Sequence, residues 1–127
     1  AVYKRNEFWF ACASYGSMDH SYTIRCCRAS APRGPYYDKH GRDCTSFDSG
    51  AGGYGASMLL GPDGEQLVPG HPHIWSEESN TTYLGYDFRK GSVSAGDKMG
   101  IRKLHWVDDL HLPASERGWP TVWTPLS

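Results

Sequence analysis

No stretch of this chain approaches the roughly 20 consecutive apolar residues that a membrane-spanning helix needs, so no membrane partner is expected. An excess of one charge is missing as well: 13 basic side chains stand against 14 acidic ones, spread along the sequence. Without a basic stripe to neutralise phosphates, nucleic acid is not an expected partner either. There is no Cys-x-x-Cys spacing, which removes zinc ribbons and thioredoxin-like redox chemistry. The opening "AVYKRNEFWF" has no initiator Met, no basic n-region and no apolar h-region. It reads as the middle of a chain entering a hairpin with its turn at Lys4-Arg5-Asn6-Glu7, and a fragment or a processed product is expected.

What the sequence does hold is 15 Gly, 8 Pro, 5 Trp, 8 Tyr and 4 Phe, the composition of an all-β protein with many turns. The periodicity agrees. In "FWFACA" (8–13), Phe8, Phe10 and Cys12 alternate with Trp9, Ala11 and Ala13; in "YTIRCC" (22–27), Tyr22, Ile24 and Cys26 alternate with Thr23, Arg25 and Cys27. Further strands are expected at 56–60, 66–68, 73–75, 82–87, 99–106 and 119–123, with turn signals such as "PRGP" (32–35) and "RKGS" (89–92) between them. In "LLGPDGEQL", Pro62-Asp63-Gly64 supplies a hairpin turn between two apolar runs. Ile101, Leu104, Val107 and Leu110 also fit helical spacing, but Gly100 favours a strand followed by a loop.

Eight strands in this order form two antiparallel sets of four. One blade is expected at about 8–68 and a second at about 73–123, within a single region 1–127. Four-stranded meanders are the unit of a β-propeller, and two of them cannot close a ring of about four to eight. Partner chains, or further parts of the same polypeptide, are needed to complete it.

The cysteines are Cys12, Cys26, Cys27 and Cys44. Neighbouring Cys26 and Cys27 point to opposite faces of a strand and do not suit a bond to each other. Small buried hydrophobes, or one disulfide such as Cys12 with Cys26 or Cys27, both remain open.

The most unusual segment is "LVPGHPHIW" (67–75). His71 and His73 form an H-x-H pair that a regular strand would place on one face, as a transition metal requires. Pro72 interrupts the ladder and no third ligand has a suitable spacing, so the pair need not share a face and zinc is not expected.

Taken in order, "RASAPRGPYYDKHGRD" (28–43), "GAGGYGASMLL" (50–60), "VPGHPHIW" (68–75), "TYLGYDF" (82–88), "GIRKLHW" (100–106) and "RGWPTV" (117–122) resemble glycoside hydrolase family 43. The likeness is greatest to its endo-arabinanase-like members and runs from about residue 8 to 122. It implies a five-bladed β-propeller, of which these residues resemble the last two blades. It also implies inverting hydrolysis of arabinan- or arabinoxylan-type polysaccharide, and a secreted protein. In such chemistry one carboxylate deprotonates a water while a carboxylic acid protonates the leaving oxygen. The family's base and its tuning Asp lie on early blades, and its acid Glu, in an E-x-P, lies just before a segment like the opening one here. Glu7, in a turn, is no substitute, so no catalytic carboxylate maps onto this chain and alone it is expected to cleave nothing.

The resemblance places His71 at the family's channel histidine, which faces a calcium or other hard cation or an active-site water. Val68 and Pro72 depart from the usual Gly and Asn there. Ser21 and Tyr22, in "MDHSYTI" (18–24), match a loop and strand near the substrate groove and are candidates to touch sugar, although packing of an edge-strand Tyr22 on the blade below is the more expected role. Asp87 stands where the family's "Y-x-x-Y-H" strand has its His; both a solvated strand end and a channel group that binds substrate remain open for it. Core packing is expected for at least three of Trp9, Trp75, Trp106, Trp119 and Trp123, while Asp38, Asp48, Asp63, Asp108 and Asp109 read as solvated or turn-capping carboxylates. Rival functions are a non-catalytic carbohydrate-binding β-protein and a half-propeller module that assembles through its blade edges.

Overall fold

A computed structural model describes residues 1–17, 21–45, 47–48 and 53–125. Its strands are β1 (Val2–Arg5), β2 (Phe8–Tyr15), β3 (Thr23–Ala29), β4 (Phe47–Asp48), β5 (Gly53–Tyr54), β6 (Ser57–Leu60), β7 (Gln66–Ser76), β8 (Thr82–Lys90), β9 (Asp97–Val107) and β10 (Trp119–Pro125). One 3-10 turn, Ala114–Glu116, precedes β10, and no α-helix occurs among the described residues. Two four-stranded antiparallel sheets, ordered β1-β2-β3-β6 and β10-β9-β8-β7, make up the body, with β4 and β5 as a small separate pair. Residues 97–107 are a strand, so Gly100 outweighs the helical spacing around it; a Cβ there would fall 2.5 Å from the ring of Tyr86, its cross-strand partner.

The two sets of four are present, but their membership differs from the sequence reading. Residues 66–68 do not close the first sheet. They begin β7, which runs through 73–75 and pairs with β8 in the second sheet. The fourth strand of the first sheet is instead β1, joined to β2 by a two-residue turn at Asn6-Glu7, since Arg5 pairs with Phe8. Asn6 takes the left-handed conformation (φ 53°) that this turn needs, and Asn tolerates it better than most residues. "GPDG" does not make a hairpin, because β6 pairs with β3 in one sheet and β7 with β8 in the other. It hands the chain from sheet to sheet, closed by reciprocal Asp63–Gln66 backbone bonds of 3.0 and 2.9 Å.

The sheets pack face to face. Phe10, Cys12, Ile24, Cys26 and Leu60 of the first meet Leu84, Tyr86, Phe88, Leu104 and Trp119 of the second. Phe10 sits between two indoles, with ring centroids 5.2 Å from Trp106 and 5.6 Å from Trp119. Such offset and edge contacts add to plain area burial. Of the five tryptophans, Trp119 is in the core and Trp106 packs against it, Trp9 and Trp75 are half-buried, and Trp123 is exposed. The core reading thus fits two of them rather than three.

Arg102 enters this core carrying its own partners. Its nitrogens donate to Tyr86 Oη (2.9 Å), Asp63 Oδ2 (2.9 Å), Gln66 Oε1 (3.0 Å) and the Trp123 carbonyl (3.2 Å). A buried guanidinium is tolerable only when its donors are satisfied in this way. Asp63 is therefore an ion-pair partner and not merely a solvated turn residue. Asp38 does cap its turn, accepting the His40 and Arg42 amides at 2.9 Å each.

Both disulfides form: Cys12–Cys26 and Cys27–Cys44. Cys12 and Cys26 lie directly opposite on β2 and β3, and the Cys12 amide points away, to Ala1 O at 2.8 Å. That makes them a non-hydrogen-bonded pair, where side chains approach closest. Cys27, on the other face, ties the 30–44 loop to the sheet.

Arg5 spans the two sheets at their edge, donating to both oxygens of Asp108 at 2.9 and 2.6 Å while its guanidinium lies 4.8 Å from the Trp106 ring centroid. The hydrogen bonds from Arg5, and then its charge, hold the Asp108 carboxyl below its ordinary value of 3.8. A lowered folded-state pKa contributes stability above the unfolded value, and that contribution is lost as the pH falls through the folded one. Because the Asp108 side chain is 55% exposed, the pair is worth no more than about 1 kcal/mol. Asp108→Asn is expected to lower stability by up to about that amount at neutral pH, with the difference shrinking as the pH falls below 3.8 and through the lowered folded-state value, as read by urea unfolding.

Candidate functional site

The site grows out of irregularities in β7. Against β8, Leu67 pairs with Arg89, Gly70 with Asp87 and His73 with Gly85. Each three-residue step on β7 faces a two-residue step on β8, so "LVPGHPH" contains two successive bulges. Val68 (φ 46°) and His71 (φ 52°) are left-handed. For a β-branched residue such as Val68 this is a true outlier, costing on the order of 1–3 kcal/mol. Bulges re-aim side chains, and strain of this kind gathers at functional sites.

Two things hold the distorted strand in place. Gly70 lies directly against the first sheet, where an added Cβ would fall 2.7 Å from the Tyr22 ring and 2.9 Å from Ser14 Oγ. Next to it, the His71 amide donates to Ser14 Oγ at 2.7 Å. The His71 ring then turns toward β8, with Nδ1 3.2 Å from Asp87 Oδ2.

These contacts open on a cavity of about 300 Å3 at the seam between the sheets, lined by Ser14, Tyr22, His71, Asp87, Arg89 and Asp97 among others. Of the residues singled out from sequence, Tyr22, His71 and Asp87 come together here, from the residue preceding β3 and from β7 and β8. Ser21 does not join them: its hydroxyl accepts the Ser17 amide at 2.6 Å and closes its own loop. The His73 ring lies 4.9 Å from the His71 ring, so the two imidazoles, which need not have shared a face, stay close together. Ser14, Arg89 and Asp97 had no signal in the sequence. Arg89 Nε donates to Asp97 Oδ1 at 3.1 Å, so the rim also carries an Arg–Asp ion pair.

Each carboxylate of the cavity meets a basic side chain: Asp87 the His71 ring, and Asp97 the Arg89 guanidinium. Among the described residues no group of three or more His, Cys, Asp or Glu side chains is gathered to hold a metal ion. One imidazole and one carboxylate fall short of the six to eight oxygens calcium takes, so these residues do not by themselves fit that cation.

No family model matches the chain. It is 29% identical over 109 residues to arabinan endo-1,5-alpha-L-arabinosidase B of Emericella nidulans, a match taking in 84% of this chain and 23% of that protein. The fold matches the alpha-L-arabinanase of Cellvibrio cellulosa, solved with arabinohexaose, at a TM-score of 0.76 and 26% identity, over 95% of this chain and 35% of that one. A GH43 endo-arabinanase from Bacillus licheniformis shares the fold at a TM-score of 0.67 and 23% identity, over 94% of this chain and 36% of that one. The chain thus spans about a quarter of the curated relative and about a third of the solved ones.

Proposed function

The chain is a relative of the arabinanases of glycoside hydrolase family 43 and shares part of their propeller, and on that premise we infer that it serves in the breakdown of arabinan-type polysaccharide. The observation that carries this reading is the convergence of Tyr22, His71 and Asp87 on one cavity where two blades meet. A ring face, an imidazole and a carboxylate are the groups that hold a sugar: one stacks while the others accept and donate to hydroxyls. Hydrolysis needs two carboxyl groups on opposite sides of the scissile bond, and they would come from further blades of the whole protein. A hard cation in the completed channel would take most of its donors from those blades, with His71 beside it.

Two further features support the reading. The free face of the second sheet stacks Trp75 on Tyr83, with centroids 5.6 Å apart, and leaves Met99 and Trp123 exposed. Exposed apolar groups of this kind mark an interface, and neighbouring blades would cover them. The two disulfides suit an oxidising compartment, as a secreted hydrolase would meet.

On debranched arabinan the complete propeller is expected to release oligosaccharides with inversion, and His71→Ala to lower turnover roughly tenfold or more. The 127-residue chain alone is expected to release none. Sugar binding without turnover in the complete protein would favour a non-catalytic carbohydrate-binding role. Cleavage by the isolated chain that Asp87→Asn abolishes would overturn the assignment of both catalytic carboxyl groups to further blades.

A further inference from the structure

We propose that Ser14 is a positioning residue for the His71 imidazole, acting across the junction between the two sheets. This rests on the sugar-binding reading only for what the imidazole faces. The His71 side chain is 72% exposed, so packing does little to fix it. Its direction is set by two hydrogen bonds at its two ends. At the backbone, the His71 amide donates to Ser14 Oγ (2.7 Å) and holds a left-handed conformation that a histidine on a strand otherwise avoids. At the ring, Nδ1 meets Asp87 Oδ2 (3.2 Å). An ionised carboxylate only accepts, so Nδ1 is the protonated nitrogen, and in the neutral ring Nε2 keeps the lone pair. Ser14 lies on β2 of the first sheet and His71 on β7 of the second, so the orientation of this ring reports directly on the seam between blades. Gly70 makes the approach possible, since any Cβ there would meet Ser14 and Tyr22. The atom offered to a ligand is therefore Nε2, presented in a single tautomer.

Proton–nitrogen spectra of the histidine rings at mildly alkaline pH, combined with exchange of the His71 amide, test this on the 127-residue chain. The unaltered chain is expected to show the Nδ1–H tautomer and a slowly exchanging His71 amide. In Ser14→Ala the amide should exchange about tenfold faster or more, and the ring should lose its single tautomer. Ser14→Thr, which keeps the acceptor, should restore both, while the Ile24 and Leu84 amides stay protected throughout as a control on folding. Retention of a slow amide and the same tautomer in Ser14→Ala overturns the proposal. Should that variant fail to fold, Asp87→Asn decides: the tautomer should change while the amide stays protected, and loss of amide protection would show that the backbone depends on the ring and not on Ser14. No sugar enters these measurements, so failure of the arabinan reading would leave their outcome unchanged.

Discussion

Replacing Trp119 by alanine is expected to lower the unfolding free energy by about 3–5 kcal/mol, the range for truncating a large aromatic in a well-packed core. The indole is 1% exposed and meets Phe10 edge-on. Its Nε1 donates to the Ser115 carbonyl at 2.8 Å, and the Arg28 guanidinium lies 4.9 Å from its centroid. Arg28 also donates to the Ala114 and Arg117 carbonyls, so the first sheet is tied through it to the turn preceding β10. Losing the ring removes one of the two aromatic faces against that arginine, the other being Phe8 at 4.1 Å, and leaves a cavity between the sheets. Chain stabilities of about 5–15 kcal/mol make this a large fraction of the whole. Urea unfolding provides the measurement, and a loss below about 1 kcal/mol would mean that the sheets are not held together here. Trp119→Ala and Phe10→Ala, which remove two sides of one contact, should be non-additive by at least about 0.5 kcal/mol.

Reduction of the disulfides should have a comparable or larger effect. The bridges close loops with sequence separations of 14 and 17. In the chain-entropy account, loops of this length restrict the unfolded chain by about 3 kcal/mol each. Their joint loss would approach the total stability of a chain this size. The oxidised chain should unfold in a single cooperative transition, whereas the reduced and alkylated chain should show a much lower midpoint or none. An unchanged midpoint would contradict the pairing of Cys12 with Cys26 and Cys27 with Cys44.

The architecture was legible because alternation is enforced wherever one face of a strand is buried: Phe8, Phe10 and Cys12 show it, and so do Ile24 and Cys26. Strand membership was less legible. Val2–Arg5 is short and half-exposed, and has little pattern to read. Gln66–Ser76 carries Pro69 and Pro72, which ordinarily argue against a continuous strand. Both are accommodated because β7 is an edge strand, and Pro120 and Pro125 lie on the other edge, β10. The disulfides could not be settled until the register placed Cys12 opposite Cys26. At the site, His71, Tyr22 and Asp87 stood out through motifs, whereas Ser14 is an ordinary polar residue in an alternating strand. Its role comes from a bulge on a strand 57 residues away. Asp19 lies outside the described residues, and so does the side chain of Asp48.

The most direct test of the account is a titration of the chain with arabinohexaose, followed by backbone amide shifts. Saturable shifts are expected at Tyr22, His71 and Asp87, weakened together in His71→Ala, with Phe8 and Tyr37 at the far cavity unmoved. Absence of any shift at millimolar sugar, or shifts centred on Phe8 and Tyr37, would contradict the assignment of the seam between the blades as the sugar site.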